Sequence, residues 1–92
     1  MALTNLQALD VILACVQAVG GRNIGPNDSL ADGGVVDEPR LNALRSTIVT
    51  DAGIGVGKFG HRIAASALDG LGTDDFAQGA ADVVRGNAVP LV

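Results

Sequence analysis

Aromatic residues are almost missing from this chain: Phe59 and Phe76 are the only two, with no tryptophan or tyrosine. A core must then be assembled from Leu, Ile, Val and Ala. Each such contact removes little surface from water, so stability is limited unless a partner or a second copy covers more. Cysteine is equally scarce. Cys15 stands alone, which excludes an intramolecular disulfide and a cysteine-rich metal site and fits a reducing cytoplasm. No stretch approaches the ~18 to 20 continuous apolar residues of a membrane span. The first segment has no basic leader and contains Asp10, so a secretory signal is not expected. Clustered cations are also lacking. Arg22, Arg40, Arg45, Lys58, Arg62 and Arg85 are scattered through a chain of net charge −4, a pattern that argues against a phosphate-backbone footprint.

What is present points to one small domain. Ninety-two residues suffice for a single modest core and not for two. Leu3, Leu6, Leu9, Ile12, Leu13, Val16 and Val19 recur at helical spacing. Thr4 and Gln7 form a capping-box pattern in front, and Gly20-Gly21 stops the helix. Leu6, Ile12 and Leu13 are expected to face the core, with Cys15 beside them. Residues 22–36 read as a long loop rich in Gly, Asn and Asp, turned by Pro26 and pinned by Ile24, Leu30 and Val35. A second helix starts at Asp37, a good N-cap, with Pro39 tolerated in the first turn. Leu41, Leu44 and Ile48 share its inner face and Gly53 closes it, although β-branched Thr47 to Thr50 would also suit a short strand.

A Gly-punctuated connector, 53–60, leads to a third expected helix from about His61 to Leu71, with Ile63, Ala64, Ala67, Leu68 and Leu71 inward. Thr73 is placed to cap a fourth helix, with Asp74 and Asp75 at its positive end and Phe76, Ala80, Val83 and Val84 on one face. Gly86 ends it, and residues 87–92 form a short tail containing Pro90. No repeat is visible. The expected fold is all-α, a bundle of three or four helices spanning 1–92 as a single domain.

The stretch from Ile24 to Val56 resembles the loop and second helix of acyl carrier proteins of the polyketide-synthase type. The resemblance rests on Ile24, Pro26, Ser29, Leu30, Asp32 and Gly34 in the loop. It continues through Leu41-Asn42-Ala43-Leu44-Arg45 and Ala52-Gly53-Ile54 in the helix. In that family an Asp-Ser-Leu at the helix start carries a phosphopantetheine arm on its serine. Here Asp37-Glu38-Pro39 stands in its place. The serine position becomes Glu38, which has no hydroxyl to accept the arm. A literal Asp-Ser-Leu does occur at Asp28-Ser29-Leu30. Gly33-Gly34 follow within a few residues, so no helix is expected there to favour an anionic phosphodiester. The resemblance thus implies a carrier-like fold, with Ser29 as the only candidate for phosphopantetheine.

Other motifs carry less. Gly55-Val56-Gly57-Lys58-Phe59-Gly60 matches G-x-G-x-x-G, but a dinucleotide site needs a preceding strand and a βαβ unit. Phe59 also replaces the Ser or Thr of a P-loop. His61, the sole histidine, has no triad-like neighbours and reads as a surface residue at a helix start. Gly20-Gly21 resembles the end of a double-glycine export leader, but such leaders are more polar than Leu3 to Val19, so the uncleaved chain is expected. Asp28, Asp32, Asp37 and Glu38 concentrate negative charge, which suits either a solvated loop, the cheaper explanation, or a face for a basic partner. The leading expectation is therefore a non-catalytic carrier-like interaction module. It would dock another protein, such as a biosynthetic enzyme, through a helix face or the acidic 28–38 loop, with no cofactor or metal. The alternatives are a genuine acyl or peptidyl carrier with phosphopantetheine on Ser29, and a structural subunit of a homo-oligomer.

Overall fold

The structure, a computed structural model, describes residues 2–50 and 59–90. Three helices carry it: α1 (Asn5–Gly20), α2 (Glu38–Thr50) and α3 (Ala77–Asn87). Single 3₁₀ turns lie at Ala31–Gly33 and Ala65–Leu68. Two very short strands, β1 (His61–Arg62) and β2 (Val89–Pro90), pair antiparallel, with His61 opposite Pro90 and Arg62 opposite Val89. The domain is therefore mostly helical with a minimal ladder rather than purely α.

Helix α1 forms as its sequence dictates. Thr4 Oγ1 accepts from Gln7 N at 3.1 Å while Thr4 N donates to Gln7 Oε1 at 3.0 Å, completing the capping box. At the other end Gly21 adopts φ 84° and its N–H reaches the Gln17 carbonyl. The buried stripe is Ala8, Val11, Ile12, Cys15 and Val16, the i, i+3, i+4 spacing of one helix face. Leu13 packs against the core's margin, but Leu6 does not share the stripe and is 76% exposed. The expectation that Leu6 faces the core is thus corrected. Alanine and cysteine occupy inward positions, so apolarity alone misplaces the stripe by a fraction of a turn.

Helix α2 lies against α1 and buries Leu41, Leu44 and Ile48; full burial of a Leu or Ile contributes roughly 1.5 to 3 kcal/mol. Asp37 caps it, its Oδ1 accepting from Arg40 N at 3.1 Å. Residues 47–50 are helical, not a strand. Ile48 is anchored in the core, and the Thr50 hydroxyl donates to the Ser46 carbonyl at 2.7 Å, so the β-branched run is absorbed into the helix. Asp37→Ala removes the cap and is expected to cost about 1 kcal/mol, with faster amide exchange confined to the first turn of α2.

The second half departs from the sequence expectation. No α-helix runs from His61 to Leu71. His61 and Arg62 are extended, Ala64 is also extended (φ −70°, ψ 137°), and only Ala65–Leu68 winds, as a 3₁₀ turn. The carbonyls that end this turn are taken by Arg45 of α2. Its Nε donates to Leu68 O at 3.1 Å and its Nη2 to Leu71 O at 2.9 Å. These long-range bonds satisfy the turn without further helix, whose nucleation over so few residues is costly in any case. Ile63, Leu68 and Leu71 still face inward, whereas Ala64 is exposed and Ala67 only half-buried.

Helix α3 begins at Ala77, later than a Thr73 cap implies. The reason lies in a clasp between two loops. Gly25 N donates to Asp28 Oδ2 at 2.8 Å, and Gly72 N donates to Asp75 Oδ2 at 2.7 Å. Leu30 N donates to Asp75 O and Ala77 N to Asp28 O, both at 2.9 Å; Ala31 N reaches Thr73 O and Gln78 N reaches Pro26 O. Each bond in one loop has its counterpart in the other, around the antiparallel bridge of Ser29 and Phe76. A local repeat, Gly25-Pro26-Asn27-Asp28 and Gly72-Thr73-Asp74-Asp75, therefore does exist. The pairing holds residue 76 extended (φ −76°, ψ 152°) and delays the helix. Asp74 and Asp75 sit ahead of α3 rather than in its first turn, and Phe76 is 60% exposed instead of inward. Ala80 and Val84 are buried and Val83 partly so.

Helix α3 packs on α1 and continues through Gly86 to Asn87, whose side chain donates to the Val83 carbonyl at 2.7 Å. The expected tail from residue 87 is partly ordered as β2.

Candidate interaction face

The four carboxylates singled out in the sequence do not form one cluster of uncommitted charge. Asp28 closes its own turn on Gly25. Asp32 Oδ2 accepts from Ser29 N at 3.2 Å, and Ser29 Oγ accepts from Asp32 N at 3.1 Å, a reciprocal lock over one turn. Asp37 caps α2 and pairs with Arg40 at 2.6 Å. Glu38 meets Arg45 at 3.3 Å and keeps 69% of its side chain exposed. Asp28 and Asp32 therefore serve the loop, in the way short polar side chains stabilise turns.

Asp37 and Glu38 have different company. The start of α2 and the turn before α3 border an open cleft of about 560 Å³. Asp37 and Glu38 stand on one side, Asp74 and Asp75 on the other, with Thr73 between the latter and Gly72. Leu41 and Leu71, each nearly buried, and Val36, 54% exposed, give the cleft an apolar portion. Among the described residues no Arg or Lys lines it; Arg40 and Arg45 pair with Asp37 and Glu38 without lining the cleft. The sequence places Asp74 and Asp75 at the positive end of a helix, whereas in the structure they line the cleft ahead of α3. A signal for their real position was present, since both Gly-x-x-Asp segments predict the same turn.

Ser29 is half-buried and precedes a 3₁₀ turn of three residues that ends at Gly34, φ 99°. As expected from Gly33-Gly34, no α-helix starts beside it, only this single 3₁₀ turn. Its hydroxyl oxygen is engaged with Asp32 N, the local arrangement expected of a turn serine. Of the G-x-G-x-x-G segment, residues 55–58 lie outside the described residues. The helix that should follow it is replaced by β1 and the 65–68 turn, so the βαβ geometry a dinucleotide needs is not formed by the described part. His61 is 6% exposed, not a surface residue. Its Nδ1 lies 2.6 Å from the Phe59 carbonyl, which can only accept, so this nitrogen donates. The imidazole is used to hold β1 in place. Among the described residues no group of three or more His, Cys, Asp or Glu could hold a metal ion, and no helix there is long and apolar enough to cross a membrane.

Comparison with known proteins gives no family: no family model, curated protein or solved structure matches this chain.

Proposed function

We propose that this protein is a non-catalytic, carrier-like interaction module that docks a basic partner at the mouth of α2. The observation that carries this reading is the cleft with Asp37 and Glu38 on one side, Asp74 and Asp75 on the other, and no Arg or Lys among the described residues of its lining. The cleft gathers four carboxylates from two separate elements; Asp37 and Glu38 also meet Arg40 and Arg45, and the negative charge left over favours a Lys- or Arg-bearing segment. The apolar portion suits the aliphatic stems of the same side chains. Carrier-like shape is supported by the order of elements, in which a long pinned loop joins α1 to α2 and a short turn precedes α3.

The prosthetic-group chemistry of a true carrier is not part of this proposal. Glu38 occupies the position aligned with the arm-bearing serine, and the Ser29 side chain is engaged in its own turn. Co-expression with a broad-specificity phosphopantetheinyl transferase, followed by intact mass measurement, separates the two readings. The mass is expected to stay that of the bare chain. Addition of one phosphopantetheine, lost in Ser29→Ala, would replace this proposal with the carrier.

A further inference from the structure

We draw no further inference here: the strongest candidate beside the cleft already described, the groove between the 65–68 turn and α3 bordered by Ala67, Gly70, Leu71, Asp75, Gly79 and Val83, is a mostly apolar face that shares Gly70, Leu71 and Asp75 with that cleft, and nothing in the structure shows what covers it.

Discussion

Gly20→Ala is expected to lower the free energy of unfolding by about 3 kcal/mol, the upper end of what overpacking costs. At the end of α1 a Cβ on Gly20 would collide with the Gly33 carbonyl, and a Cβ on Gly34 would collide with the carbonyl of Gly20. Both collisions are with backbone, which cannot swing aside as a flexible side chain can. Gly33 is also constrained, because its Cβ would run into the buried side chain of Val16. The glycines therefore let the loop lie directly on the helix end, which places Leu30 and Val35 in the core at 0% exposure. Gly79→Ala is the matched control. It lies within α3 with nothing within 4 Å of an added Cβ, so alanine should stabilise by about 0.5 to 1 kcal/mol through helix propensity alone. Urea unfolding of both variants reads the difference. A Gly20→Ala variant as stable as the parent would show that the loop does not abut α1.

Arg45→Ala is the second large effect, expected at about 2 to 3 kcal/mol. Its side chain is only 15% exposed and its guanidinium donates to the Leu68 and Leu71 carbonyls, with Asp69 O at 3.5 Å and Asn42 Oδ1 at 2.8 Å. Truncation strips charge-assisted bonds from both carbonyls; Leu68 O keeps only its bond from Leu71 N. A lysine carries its charge at one point and cannot span this fan, so Arg45→Lys should recover less than half the loss. The comparison is Arg40→Ala or Arg85→Ala. Those residues form exposed i, i+3 pairs, which typically contribute about 0 to 1 kcal/mol. Denaturant midpoints rank the variants, and amide exchange should accelerate across residues 66–72 in Arg45→Ala. Equal effects for Arg45 and Arg40 would contradict the pinning role.

These two residues also explain how far the sequence could be read. The capping box of α1, the Asp37 cap and the Leu41, Leu44, Ile48 face are local signals, each written within a few residues, and they are found where the pattern places them. The 61–71 segment was not legible because its conformation depends on Arg45, more than twenty residues earlier in the chain. A six-residue window there contains good helix formers and gives no hint of a guanidinium waiting for its carbonyls. The late start of α3 has the same cause at longer range: Thr73 and Asp75 lend their carbonyls to Ala31 and Leu30. Composition did expose the acidic character of the α2 start. The turn bonds of Asp28 and Asp32 are local and suit the turn-forming character of those residues, whereas the placing of Asp74 and Asp75 at the cleft requires the clasp.

The cleft is therefore the claim to test first. Purified protein, immobilised and offered a lysate of its source cells with a carboxyl-to-amine crosslinker, should yield discrete adducts at low salt that diminish at high ionic strength. Mapping should place the crosslinks at Glu38, Asp74 or Asp75. Glu38→Lys with Asp74→Lys should abolish those adducts with helical circular dichroism unchanged, whereas Asp28→Asn should not. Adducts that persist in the charge-reversed protein, or that map to residues remote from the α2 start, would contradict the account.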